Sequence, residues 1–471
     1  MIEVTSAGVQ PAAESARPPR VSSAKGGGGL GGKAARVFVA NWSAMVCQLA
    51  TGVVIARALG ADGRGVVALV LSTATLLGGA GQLGLPSAAI FYLRSGRLTS
   101  RALLAMYLPV VAILSAMLFV LLAAAEPWFR SVILRDAAVS TLGLWVGFGA
   151  LPFTMLAAYA SALLLAAGEA KRYQMITATS AVSGLLMTLL LVVALHLGVA
   201  GALLAATLTQ AILGAWTAAA ALGQRGTMDV GTEWRLLPNF LGFGLKQHGG
   251  SLAAQIFRRA DSYLLAYFLG PTSVGYYVVG SAAYEALLSV PRALAHLLHG
   301  EASARIESDA SELVTRSARL LFWLMLVGVA FVDLASIPII PILYGRSFVL
   351  AVPPLLVLAP AAVLVGFSGC LQSYFLARGK PELTSGIMIT AGLLNLVLSV
   401  VLIPRAGLVG NAAATLCAAA LMAILHAVVF QRLAGSEIRS LLVPRRSDLQ
   451  FLRALKARVF GLRSRAPVSP A

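Results

Sequence analysis

The chain has 471 residues, of which 59% are hydrophobic and only 11% are charged, and its formal net charge is +18. Soluble domains carry about 25% charged residues, so this composition excludes an ordinary soluble protein. A basic balance can indicate a nucleic-acid partner, but here the charge lies in short loops and tails. We therefore expect a polytopic membrane protein that binds no nucleic acid.

The elements are predicted in chain order from apolar runs of about 20 residues, the length that spans a bilayer. Residues 1–35 are rich in Gly, Pro, Ser and Ala and predict a disordered cytoplasmic arm. Twelve spans follow, at residues 36–58, 66–92, 102–124, 141–166, 174–196, 200–222, 240–268, 275–299, 320–343, 350–377, 386–404 and 408–431.

The long loop 223–239 divides these spans into an N-terminal six-helix lobe, 36–222, and a C-terminal six-helix lobe, 240–432. A basic cytoplasmic tail, 433–471, comes last. Within it, apolar residues at steps of three and four predict an amphipathic helix at about residues 447–463. We expect this helix to lie on the anionic cytoplasmic leaflet.

The Lys and Arg residues set the orientation in the membrane. With the N-terminus inside, cytoplasmic segments hold 27 of the 36 Lys and Arg residues, the opposite side holds 6, and 3 lie within spans. The positive-inside rule then predicts that both termini are cytoplasmic. In a bacterium, such a protein belongs to the cytoplasmic (inner) membrane.

An internal repeat links the two lobes. The segment Leu59–Gly65 matches Leu269–Gly275 at an offset of 210 residues, Gly198–Gly201 matches Gly407–Gly410 at 209, and Gly168 matches Gly379 at 211. A near-constant offset indicates two copies of one membrane bundle. Six spans per copy leave the copies in the same orientation, related by a pseudo-two-fold axis along the membrane normal, with substrate between them.

The charges within the membrane gather in the seventh and eighth spans, where ionisable groups mark a partner or a wet cavity. One hypothesis is that Arg258, Arg259 and Arg292 line a cationic cavity for a phosphate-bearing substrate. Asp261 and Glu285 are then candidates for binding a coupling ion, H⁺ or Na⁺. The other hypothesis is a structural network of Arg258–Asp261 and Arg259–Glu285 ion pairs. The sequence leaves both open.

Other polar residues carry weaker signals. Gln48 and Asn395, with several further Gln residues, either line a sugar-accepting cavity or form hydrogen bonds between helices. Cys47, Cys370 and Cys417 lie in predicted spans without metal-ligand spacing, so we expect no metal site. We find no catalytic triad or acid–base pair and expect no enzymatic activity and no cofactor.

Three segments of the sequence resemble one protein family: Arg259–Tyr277, Arg57–Gly65 and Leu376–Pro381. They are similar to bacterial polysaccharide flippases of the multidrug/oligosaccharidyl-lipid/polysaccharide exporter superfamily. The resemblance covers about residues 36–432. It implies an all-α, V-shaped, two-lobed transporter that works by alternating access.

The same resemblance implies a flippase that moves undecaprenyl-pyrophosphate-linked oligosaccharide repeat units from the cytoplasmic to the outer leaflet, for exopolysaccharide biosynthesis. It makes Arg258 and Arg259 the best candidates for contact with the substrate. The implied partners are the lipid-linked glycan and the bilayer, with polysaccharide polymerases and glycosyltransferases as further candidates.

The sequence leaves two alternative functions open. A cation-coupled multidrug exporter of the same superfamily favours an acidic or apolar cavity, whereas three Arg residues face two acids here. A non-transporting membrane scaffold would use the arm and the tail to recruit partners. A membrane-bound transferase is disfavoured because the loops are too short for a catalytic domain.

Overall fold

The structure is a computed structural model that describes residues 30–96, 98–137, 139–223, 236–435 and 437–444. The predicted helix at 447–463 and most of the predicted arm, 1–35, lie outside the described residues. So does most of the inter-lobe loop, 223–239.

The described residues form twelve helical spans and no strand. Eight helical segments are long and apolar enough to cross a membrane. Two of these segments are broken at a glycine, Gly60 or Gly407, and each forms two spans. Two further helices of lower hydropathy, Leu237–Leu269 and Pro271–Ser303, bring the total to twelve spans. Spans 1 to 12 lie at 30–59, 61–94, Ser100–Ile133, Thr141–Ala166, Ala170–Ala194, Gly198–Leu222, Leu237–Leu269, Pro271–Ser303, Glu307–Tyr344, Arg346–Ala377, 381–406 and 408–434. Span 2 is interrupted by a turn at 82–84, so that its second helix is Leu85–Arg94.

The chain reverses direction at Gly60 and Gly407, where φ is 67° and 57°. Arg64 lies against Gly52, and Ser399 Oγ donates a hydrogen bond to Asn411 Oδ1 at 3.1 Å. In each pair the residues are twelve apart, about 18 Å along a straight helix, so both segments must fold back. Glycine permits the left-handed backbone conformation at each reversal.

The reversals define two faces of the molecule. The face that carries Gly60, Gly198, Gly270, Gly345 and Gly407, all with positive φ, is called the distal face. The described chain ends lie on the opposite, proximal face. The all-α fold of two six-helix lobes agrees with the prediction from the sequence. Within a bilayer the backbone polar groups must bond to one another, and an α-helix satisfies them all within a single segment.

The sequence repeat forms the contact between the lobes at the distal face. A Cβ built on Gly65 would overlap the carbonyl oxygen of Pro271, and one built on Gly275 would overlap that of Ala61. These residues are equivalent at the offset of 210, so the contact is reciprocal, as a two-fold axis requires. Thr272 Oγ1 also donates to Asp62 Oδ1 at 3.1 Å, across another equivalent pair.

Candidate functional site

Span 2 of the first lobe packs against span 7 of the second along one inter-lobe seam. The hydroxyls of Thr73 and Tyr263 lie 2.8 Å apart. Nearer the proximal face, Gln255 packs directly on Gly79, and the rings of Phe91 and Phe243 stack with centroids 4.9 Å apart. Span 7 therefore presents Gln255 and Tyr263, two turns apart, to the opposite lobe.

Arg259 lies on this same inter-lobe face, because it is one helical turn from both Gln255 and Tyr263. Its side chain is exposed and makes no ion pair or hydrogen bond with any described residue. Arg258 is also exposed and has no such partner among the described residues. Both arginines are thus uncompensated charges at mid-span, about 15–17 Å from Leu269 by the helical rise.

Glu285 and Arg292 form an ion pair on span 8, with Arg292 Nη1 2.7 Å from Glu285 Oε2. Both side chains are about half exposed, at 55% for Glu285 and 54% for Arg292. They are seven residues apart and therefore share one helix face. Arg292 is the cation that neutralises Glu285.

Asp261 points into the second lobe. Its carboxylate accepts hydrogen bonds from Asn395 Nδ2 at 3.2 Å, from Tyr277 at 3.4 Å and from Thr415 at 3.4 Å. These partners come from spans 8, 11 and 12. The structure therefore brings together side chains from two helical pairs, spans 7 and 8 and spans 11 and 12, which are more than 100 residues apart in the sequence.

The polar cluster extends toward the reversal at Gly407. Ser399 Oγ lies 3.5 Å from Asn395 Oδ1 and bonds Asn411, and both Ser399 and Asn411 are fully buried. Asn411 Nδ2 is buried and has no partner within the described residues. The Asp261 cluster, defined as Asp261, Tyr277, Asn395, Ser399, Asn411 and Thr415, is rich in oxygen atoms of the kind that hard cations bind.

The alternative hypothesis of Arg258–Asp261 and Arg259–Glu285 ion pairs is wrong for the described structure. Arg258 forms no ion pair with Asp261, whose carboxylate is bonded by Tyr277, Asn395 and Thr415 of its own lobe instead. Arg259 lies two residues from Asp261, about 200° around the helix, and faces the seam. Glu285 has a closer cation, Arg292, on its own helix.

A second seam, between spans 1 and 8, contains a partly open cavity of about 280 Å³. Gln48 and Gly52 line it from span 1, and Glu285 lines it from span 8. Arg64 and Tyr344 line it as well. Arg64 was assigned to a loop in the sequence-based prediction, so this residue was missed. The repeat contains a signal for this residue. The equivalent position 210 residues later is the buried, apolar Val274, so a charged residue at position 64 departs from the pattern of the repeat.

Two arginines join the lobes at the distal face, in equivalent places. Arg57, at the end of span 1, donates to the carbonyls of Ile342 and Leu343 at the end of span 9. Arg135, just after span 3, donates to the carbonyl of Tyr267 at the end of span 7, at 2.7 Å. The terminal carbonyls of a helix lack intrahelical partners, so cations stabilise them. We call these two contacts the distal latches.

Loss of both latches is expected to favour opening of the distal face. Each contact of a cation with a helix C-terminus contributes about 0.3–1 kcal/mol, so Arg57→Gln with Arg135→Gln should shift the equilibrium roughly 3- to 30-fold. Spin labels at the exposed distal positions Asp136 and Arg346 report the separation of the lobes. The labelled protein needs its three native cysteines replaced.

The matched control for the latches is Arg405→Gln. Arg405 is a distal arginine whose guanidinium bonds the carbonyl of Val401 in its own helix. It should leave the label distances unchanged. Identical distance distributions in the double variant and in the parent protein would contradict a latching role.

The comparisons with known proteins agree with this architecture. The family profile described as polysaccharide biosynthesis protein matches residues 31–299, which cover the first lobe, span 7 and most of span 8. The chain belongs to this family. No curated protein sequence matches the chain.

Solved structures of the superfamily share the fold of the chain. A lipid II flippase, MurJ, in an inward closed conformation has a TM-score of 0.71 at 13% identity, with 92% of this chain and 93% of that chain covered. A multidrug resistance MATE family transporter has a TM-score of 0.68 in its inward-facing conformation, at 16% identity, covering 83% of this chain and 94% of that one. An outward-facing MATE structure gives 0.60 at 17% identity, covering 85% and 95%. The chain is therefore a multi-pass membrane protein with the MurJ and MATE fold.

Proposed function

We propose that the protein is a flippase that translocates undecaprenyl-pyrophosphate-linked oligosaccharide repeat units from the cytoplasmic to the outer leaflet. The observation that carries this proposal is Arg259. It is an uncompensated arginine on the face between two lobes, in a member of the polysaccharide biosynthesis family. A charge at that depth costs about 2.5–3.5 kcal/mol to insert, so its retention favours an anionic ligand between the lobes.

The pyrophosphate would contact Arg259 and Arg258, with Arg292 as a further candidate. A guanidinium presents several donors in a planar fork and stays charged when buried, which suits phosphate oxygens. Arg292 differs from the other two because it already neutralises Glu285. We therefore assign the larger role in substrate contact to Arg258 and Arg259.

Transport would be driven by a cation, H⁺ or Na⁺, bound at the Asp261 cluster. Asp261 has neutral hydrogen-bond partners and no cationic one among the described residues, so its charge is available to an ion. Asn395, Ser399 and Thr415 supply further oxygens. Glu285 is a weaker candidate because Arg292 already balances its charge.

The proposed location is the bacterial inner membrane, with both termini in the cytoplasm and the distal face outside. In this orientation the distal latches close the outer side and alternating access would require them to break. Polymerases and glycosyltransferases of polysaccharide synthesis are the proposed partners.

The lipid pool of a deletion strain tests the proposed function. Mass spectrometry of extracted lipids should show a complete undecaprenyl-pyrophosphate repeat unit accumulating, while surface polymer is lost. Complementation with the wild-type gene should reverse both effects. Arg259→Ala should fail to restore export, although the variant still inserts and folds, because the charge for the pyrophosphate is gone.

Arg405→Gln is the control for complementation, since Arg405 bonds only within its own helix. Normal export by a stably expressed Arg259→Ala variant would remove Arg259 from the substrate site. An unchanged lipid pool together with new drug sensitivity would instead favour the multidrug exporter. The similarity of the fold to that of a MATE family transporter supports this alternative.

A further inference from the structure

The cavity between spans 1 and 8 contains an arginine that the proposed function has not used. Arg64 lies in the first turn of span 2, four residues after the reversal at Gly60, and its side chain returns toward span 1. Its Nε atom is fully buried and has no hydrogen-bond partner within the described residues. Buried donors are normally paired, so an unpaired one calls for a ligand or a functional reason.

Gly52 makes room for this guanidinium. A Cβ built on Gly52 would lie 3.3 Å from Arg64 Nη2 and 3.9 Å from Cζ. Gly52 is buried and helical, so no unusual backbone angle requires glycine there. The missing side chain therefore leaves space beside the arginine.

The charge balance of the cavity leaves Arg64 uncompensated. Glu285 is the acid among the lining residues, and its carboxylate is bound by Arg292 at 2.7 Å. Arg64 forms no ion pair with any described residue. The remaining polar groups that line the cavity, Gln48 and Tyr344, are neutral and can donate hydrogen bonds. An unpaired guanidinium with neutral donors in a partly apolar cleft is suited to an anion with several oxygens.

We propose that Arg64, with the cavity between spans 1 and 8, forms a binding site for a phosphate or diphosphate group. The site is separate from the Arg258–Arg259 pair on span 7. This inference rests on the proposed function for the identity of the carrier, which would be the polyprenyl lipid. The inference that the ligand carries a phosphate rests on Arg64, on the space beside Gly52, and on the ion pair that Glu285 forms with Arg292.

Binding of three probes to the purified full-length protein in nanodiscs tests the site. The probes are farnesyl pyrophosphate, inorganic pyrophosphate and phosphatidylglycerol. Arg64→Gln should weaken farnesyl pyrophosphate binding roughly 10-fold or more, the usual effect of losing a charged hydrogen-bond donor. Arg64→Lys should retain part of the binding, and Gly52→Ala should weaken it less than Arg64→Gln.

Arg405→Gln should bind every probe as the wild type does. Equal affinity of the wild type and a folded Arg64→Gln variant for farnesyl pyrophosphate would overturn the site and leave the proposed function standing. The wild type could instead bind only inorganic pyrophosphate or phosphatidylglycerol, with that binding abolished in Arg64→Gln. This result would support the phosphate site at Arg64 and contradict the polyprenyl carrier of the proposed function.

Discussion

Gly275→Ala is expected to force the lobes apart at the distal face. The new Cβ would overlap the backbone carbonyl of Ala61 in the opposite lobe, and a backbone atom cannot turn away as a flexible side chain can. Overpacking costs about 1–3 kcal/mol, so closure of the distal face should weaken by roughly 5- to 150-fold. Spin labels at Asp136 and Arg346 should then report longer distances, and polymer export should fall.

The repeat supplies an internal check on this prediction. Gly65→Ala places its Cβ against the carbonyl of Pro271 and should have the same effect as Gly275→Ala. Because both changes open one reciprocal contact, the double variant should add less than the sum of the two.

Gly328→Ala on span 9 is the matched control for the glycine variants. It is a helical glycine without positive φ, and a Cβ added there would meet no described atom within 4 Å. Alanine is the better helix former there, so stability should be unchanged or slightly higher. Full export and unchanged label distances in both Gly65→Ala and Gly275→Ala would show that the lobes do not need this contact.

Asp261→Asn is expected to weaken specific cation binding in the second lobe strongly. The substitution keeps the shape of the side chain and some hydrogen bonding but removes the charge that would hold the ion. Loss of a charged ligand should weaken cation binding roughly 10- to 100-fold. In the wild type, Na⁺ but not K⁺ should raise the thermal midpoint of the purified protein, or acidification should do so if the ion is H⁺. The variant should lose this ion-specific shift.

Asp333→Asn is the control for the ion experiment. Asp333 lies within span 9 and its Oδ1 is buried, but it is not part of the Asp261 cluster. This variant should keep the cation-dependent rise in thermal midpoint. An identical Na⁺- or proton-dependent rise in Asp261→Asn and in the wild type would remove Asp261 from the coupling mechanism.

The sequence was informative about the spans because their signal is local. A run of apolar residues is visible in neighbouring positions of the sequence, and a segment that spans a bilayer is either a helix or part of a closed barrel. Only the span ends differed: span 9 begins at Glu307 rather than at residue 320, and span 11 at Pro381 rather than at 386. These helices extend beyond the apolar segment, where composition no longer marks their ends.

The candidate site was predictable only in part. Sequence placed Arg258, Arg259, Asp261 and Glu285 at mid-span, but their partners depend on helix rotation and on residues far away in the chain. Asp261 bonds Asn395 and Thr415, which are 134 and 154 residues distant. A helix with several polar faces does not show which face meets which neighbour. The sequence therefore left the cavity and the ion pairs as two open hypotheses, and the ion pairs are absent among the described residues.

By itself, the sequence determined a membrane protein of two homologous lobes with six spans each. Hydrophobic length, charge asymmetry and repeat spacing are properties of the chain alone. Only the tertiary structure decided that Asp261 turns into its own lobe, that Arg292 neutralises Glu285, and that Arg64 occupies a cavity beside Gly52. These outcomes follow from the packing of helices against one another, which brings together side chains from distant segments and fixes which charges remain unpaired.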